Sequence, residues 1–235
     1  MKQIKSILLW VGIFAVAMAF LEGAVVVYLR ALYYPEGFSF PLKMMDHRIM
    51  TTETLREAAT IVMLFTIGAI ATKSRITRFA VFIYVFAIWD IFYYIFLVFL
   101  LGWPKSLFTW DLLFLLPVTW VGPVIAPVIN SLTMILLAVI ILYHRTDDNT
   151  FHLSVFEWVL LIAGSLFIIF AYTQPYISYM LERYPMSVLV GFRRNPSLTG
   201  YAAAFRPVKF NWVIYLTGQM IYFMTIFHVI KRMRK

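Results

Sequence analysis

The sequence predicts an all-α polytopic integral membrane protein with about six transmembrane helices and a broken or re-entrant segment before the fourth. Three observations carry that expectation. Hydrophobic residues make up 63% of the 235 and charged residues only 13%, where a soluble domain has about 25% charged. Apolar runs of spanning length recur along the chain; at ~1.5 Å of rise per residue, about 20 residues cross a hydrocarbon layer of ~30 Å. Basic residues, which give a net charge of +9, gather at the ends of those runs, as the positive-inside rule requires. A soluble core has no room for this much apolar surface, so the expected partner is the lipid bilayer. The same charge on a soluble chain would suggest nucleic acid. Here the flanking positions account for it, and no nucleic-acid partner is expected. The absence of cysteine excludes disulfides, thiol nucleophiles, cysteine-ligated zinc and iron–sulfur clusters.

The first helix is expected over about 4–29. Lys2, Lys5 and the run Ile7–Leu21 resemble a signal peptide, but hydrophobicity resumes after Glu22, so an uncleaved first span is the reading adopted. Trp10 belongs near one interface, and Tyr28, Tyr33 and Tyr34 near the other. Ala15, Ala19 and Gly23 form a small-residue strip that lets a neighbouring helix approach. Residues 33–52 are read as an outer connection, broken by Pro35, Gly37 and Pro41.

The second helix is expected over 53–72, with Thr51 or Thr52 as N-cap, ending at the basic stretch Lys73, Arg75 and Arg78. The third is expected over 79–101. Residues 102–123 are a second outer segment, carrying a short half-helix from about Thr109 to Leu116; the alternative is one long kinked helix through Pro117, Pro123 and Pro127. Helices follow at 124–143, 153–172 and 211–230, and the outer connection 173–210 is long enough to hold a capping helix or re-entrant piece. The whole chain, 1–235, is read as a single transmembrane domain. Lys2, Lys5, Lys73, Arg75, Arg78, Arg145 and the cluster Lys231–Lys235 place both termini in the cytoplasm, in the cell membrane. The connection 173–210 is also basic, but long loops count for less in that rule.

Charges inside such helices are costly unless they have partners or water. Glu53, Arg56 and Glu57 share one face of the second helix, at i, i+3 and i+4. Glu22 lies in the outer half of the first helix and Arg30 at its end, Asp90 lies near the middle of the third, and Asp111 lies in the broken segment. Tyr93 and Tyr94 stand one turn beyond Asp90, placed to donate hydrogen bonds to it. These acids and arginines are the candidates for binding a ligand or proton, with the two tyrosines in support. Five carboxylates against two guanidiniums leave an excess of three negative charges, which calls for protonation, a cation or water. The plain alternative is a structural ion-pair network: Glu53–Arg56–Glu57 within one helix, and Glu22 with Arg30 or Arg56 between helices.

No histidine falls at mid-depth in a helix, which disfavours bis-histidine haem and histidine-rich diiron sites. No nucleophile elbow or phosphate-binding glycine loop occurs. Asn130, Ser131 and Gln219 read as interhelical hydrogen-bonding residues. Neither a metal nor a cofactor is expected. Three function classes remain: a binding or transport protein for a proton, cation or small lipophilic molecule; a membrane enzyme acting on a lipid or isoprenoid-like substrate; and an accessory subunit of a larger membrane complex. No catalytic constellation is complete, so the first is preferred.

Overall fold

The computed structural model describes residues 2–144, 151–185 and 196–233. In chain order the elements are α1 (Lys2–Tyr33), α2 (His47–Ala71), α3 (Arg75–Leu101), β1 (Trp110–Phe114), β2 (Trp120–Pro123), α4 (Ile125–Tyr143), α5 (Val155–Leu181), α6 (Pro196–Ala203) and α7 (Trp212–Met233). Six of the helices (all but α6) are long and apolar enough to cross a membrane. The chain is thus an all-α multi-pass membrane protein. Arg145, Arg234 and Lys235, used above in weighing charge, lie outside the described residues, as do residues 186–195 of the basic connection 173–210.

Helix α3 is the centre of the bundle. It packs against α1, α2 and α4, while α5 packs against α7 and α4 joins the two groups. The small-residue strip of α1 is what lets it reach α3: Ala15 and Ala19 are fully buried, and a Cβ on Gly23 would touch Phe96 at 3.5 Å. The main core lies toward the end that carries the chain termini, where Val11, Leu64, Val81, Leu137 and Val229 meet. A second, aromatic core lies at the opposite end and joins Tyr172, Phe210 and Tyr215.

Several boundaries differ from expectation. α2 begins at His47, because Asp46 is its N-cap and accepts a hydrogen bond from the Arg48 amide at 2.8 Å. Thr51 lies inside the first turns instead, its hydroxyl donating to the His47 carbonyl. α3 stops at Gly102, whose left-handed backbone (φ 61°) turns its amide back on the last carbonyls. α5 runs through Pro175 to Leu181, well past Tyr172. The extra turns carry Tyr176 and Tyr179 to Phe205, and Tyr179 stacks on Tyr201 of α6 at 4.4 Å, so tertiary packing offsets the proline's missing donor.

The largest correction concerns the segment before α4. It is neither a half-helix nor part of a kinked long helix, but an antiparallel β-hairpin pairing Trp110 with Pro123, Asp111 with Gly122, Leu112 with Val121 and Phe114 with Trp120. Pro117 and Pro123 deny a helix its amides, and the aromatic and branched residues around them suit a pleated strand. Gly122 lets the rings of Tyr172 and Phe210 come against β2, since a Cβ there would sit 3.1 Å from Tyr172 and 3.3 Å from Phe210.

The close contact of α2 with α3 carries a test. A Cβ on Gly68 of α2 would lie 2.8 Å from the Arg78 carbonyl and 3.0 Å from the Phe82 Cβ of α3. Gly68→Ala therefore forces two backbones apart and is expected to cost about 1–3 kcal/mol, read as a lower thermal midpoint in mild detergent. Gly200→Ala, where a Cβ meets nothing within 4 Å, should leave the midpoint nearly unchanged.

Candidate functional site

Glu22, Arg30, Glu53, Arg56, Glu57, Asp90 and Asp111 all line one cavity of about 750 Å³ at the hairpin end of the bundle, and so do Tyr93 and Tyr94. α1, α2, α3 and the hairpin supply the charged residues, while α4 and α5 close the remaining wall with Ser131, Tyr172 and Tyr176.

One group of charges joins α1 to α2. Arg56 reaches back one turn to Glu53, its Nε lying 3.0 Å from Oε2 and its Nη2 2.5 Å from Oε1. Its Nη1 pairs with Glu22 of α1, whose other oxygen accepts a weak bond from the Thr60 hydroxyl at 3.4 Å. Glu57, one residue on, takes no part in an ion pair among the described residues. It accepts instead from the backbone amide of Leu115, just past β1, at 2.9 Å.

A second group joins α1, α3 and the hairpin. Arg30 lies 3.6 Å from Asp111, and its guanidinium sits over the rings of Trp103 at 3.8 Å and Phe38 at 4.7 Å. Asp111 also accepts from the Tyr94 hydroxyl at 3.2 Å. The expected Tyr94–Asp90 bond does not form. A phenol hydroxyl stands at the end of a rigid ring and overshoots a short carboxylate on its own helix, so Tyr94 reaches the next element. Asp90 takes its hydrogen bond from Ser131 of α4 at 2.8 Å. Arg30 likewise pairs with Asp111 and not with Glu22. Burial pushes the Asp111 carboxyl up from 3.8 to about 6, while Arg30, the Leu112 amide and Tyr94 pull it down.

No protein-family model matches this chain, and no curated protein or solved structure matches it either. What the cavity can do must therefore be read from its own chemistry. Both guanidiniums are already matched by carboxylates. Among the described residues, no three histidine or acidic side chains converge as a metal-ligand set. The free capacity lies in carboxylate oxygens and in the aromatic faces of Trp89, Trp120 and Tyr172. The sequence reading did not single out these rings as site residues. The indole nitrogens of Trp89 on α3 and Trp120 on β2 are buried without a hydrogen-bond partner among the described residues.

A further charged cluster lies at the termini end. Glu157, fully buried, closes a capping box with Ser154 and accepts from Arg232 at 2.9 Å and 3.0 Å. His228 stands 3.0 Å from the same carboxylate. Its geometry ties α5 to α7 and leaves no opening onto the cavity. The spacing Ser154-x-x-Glu157 is the signal that would have found its first half.

Two tests follow from these pairs. Arg56→Ala leaves Glu22 and Glu53 facing each other without a counter-charge. It should cost about 3 kcal/mol or more, measured by thermal unfolding in detergent, and adding Glu22→Gln with Glu53→Gln should recover most of the loss. For Asp111, whose folded pKa of about 6 lies above the ordinary 3.8, the folded chain binds a proton more readily than the unfolded chain. Its contribution to stability is thus greatest below about 4 and falls as pH rises through about 6. The midpoint of the wild type, compared with that of Asp111→Asn at each pH, should decline across that window.

Proposed function

We propose that this protein binds a small lipophilic molecule in the cavity at the hairpin end and holds it for transport or transfer within the membrane. The observation that carries the reading is the cavity itself. Its volume of about 750 Å³ falls inside the ~300–1,000 Å³ range of small-molecule sites. Its walls are largely apolar, with residues such as Val26, Leu29, Ile61, Leu113 and Pro127 around the charged side chains named above. A structural network alone has no need of an adjoining void, because interiors normally close-pack.

The polar end of the ligand meets Glu22, Glu53, Glu57, Asp90 and Asp111, with Tyr93 and Tyr94 in the wall. Arg56 holds Glu22 and Glu53 in place and Arg30 holds Asp111, while Glu57 and Asp90 are held by the Leu115 amide and the Ser131 hydroxyl. The membrane and its sidedness form part of the proposal. Lys73, Arg75 and Arg78 follow α2 at the end that carries the termini, so the positive-inside rule assigns that end to the cytoplasm of a cell membrane and the cavity to the outer half.

Native mass spectrometry of the protein extracted in lipid discs tests the reading. The wild type should retain a small adduct. Ile61→Trp, which fills part of the cavity, should lose it while remaining folded. A retained partner chain with no adduct would make this an accessory subunit. Conversion of the adduct to a product on incubation would favour the enzyme reading.

A further inference from the structure

We infer that the ligand of this cavity is an amphiphile with a single cationic head, a hydrophobic amine or quaternary ammonium, held in the field of Glu57 and Asp90. The inference rests on the cavity being a ligand site, as proposed above, and adds the chemical class of what it takes.

The charges that face the cavity decide the sign. Five carboxylates and two guanidiniums line it. Arg56 is matched by Glu22 and Glu53, and Arg30 by Asp111. An anionic head group would find no free guanidinium there. Lys43 and His47 reach the cavity only from exposed positions at its rim. Glu57 and Asp90 remain, neither in an ion pair among the described residues. Glu57 is only 7% exposed, and its one hydrogen bond, from Leu115, occupies one oxygen. The other oxygen accepts none among the described residues. A buried carboxylate in that condition either takes a proton or pairs with a cation, and a cation brought into the cavity gains strongly from its field because the low dielectric lengthens the reach.

The walls decide the kind of cation. A bare metal ion needs several oxygens within about 2–2.6 Å of one point, and no such set converges among the described residues. Glu57 stands on α2 and Asp90 on α3, spaced around a void large enough for an organic group. The lining also carries aromatic rings: Trp89 stacked on Tyr93 at 6.5 Å and Trp120 on Tyr172 at 6.0 Å. Aromatic faces attract ammonium groups and do not require them to shed a tight hydration shell. Arg30 already uses Trp103 and Phe38 in this way. The apolar walls then take the hydrocarbon body.

The test uses the full chain in lipid nanodiscs and three probes with one chain length: decyltrimethylammonium, decanol and decyl sulfate. Binding is measured by calorimetry against empty discs. Saturable binding of the ammonium, at least about tenfold tighter than decanol, is expected, together with loss of that preference in Glu57→Gln and Asp90→Asn. Gln keeps the acceptor for the Leu115 amide, and should either variant misfold, the wild-type series still decides. Equal binding of decanol and the ammonium overturns the cationic head while leaving the lipophilic site standing. Preference for decyl sulfate overturns it as well. Saturable binding of none of the three removes the site and the inference together.

Discussion

Backbone that leaves the helix between packed elements must find a partner for every buried amide and carbonyl, and the architecture of this protein follows from how it meets that constraint. The segment between α3 and α4 folds back as a hairpin, so its two strands satisfy each other. The loose ends are taken up locally. The amide of Val124 bonds Thr109 at 3.0 Å, and that of Ile125 bonds Leu107 at 2.7 Å. Leu115, at the turn, has no strand partner and donates to Glu57. Glu57 lies ten residues into α2 from His47, roughly 15 Å along the helix. A carboxylate deep in a span is thus the acceptor that lets the hairpin sit inside the bundle.

A hairpin fills space differently from a helix. It packs β2 on α5 through Gly122 and Tyr172, and it brings Asp111 to Arg30. α1 and α2, by contrast, touch each other little and meet mainly through α3. The ion pairs of Arg56 bridge that gap. The cavity is what remains between a close-packed half of the bundle at the termini end and a half held apart by the hairpin. The same contrast is visible in the cores. The termini-end core is mostly aliphatic, while the hairpin-end core sets the rings of Tyr172, Phe210 and Tyr215 against Ala126, Ile168 and Ala171.

How much of this was legible follows from the range of each interaction. The six spans are written in hydropathy, a local property summed over about 20 residues, so they could be read from the sequence alone. Intramembrane charges are rare enough to stand out one by one, which is why Glu22, Arg56, Glu57 and Asp90 were picked out singly. Their pairing was only half legible. Glu53–Arg56 follows from helical spacing, and Glu22–Arg56 was one of two options. Arg30–Asp111 and Ser131–Asp90 depend on how α3, α4 and the hairpin rotate against each other, which no local pattern encodes. The hairpin itself was missed because a short apolar run has the same composition in a buried strand as in a helix. The fifth helix, expected to end near 172, runs on through Pro175, a proline tolerated where Tyr176 and Tyr179 have rings to pack against.

A structural network and a ligand site make different demands on charge, and the balance here separates them. A network that only locks helices tends toward neutrality, since every excess carboxylate in a low-dielectric site must be protonated or remain costly. The Glu157 cluster meets that description: one buried carboxylate faces Arg232 and His228, with the capping amide of Ser154 completing its shell. The hairpin-end cluster does not. Its two arginines each face a carboxylate, yet Glu57 and Asp90 are left facing a void with one hydrogen bond each among the described residues. The same chain thus contains a closed, charge-matched cluster where two helices simply need joining, and an open, acid-rich one where there is room for a guest. That difference, more than the number of acids, is what supports the proposal of a ligand site at the hairpin end.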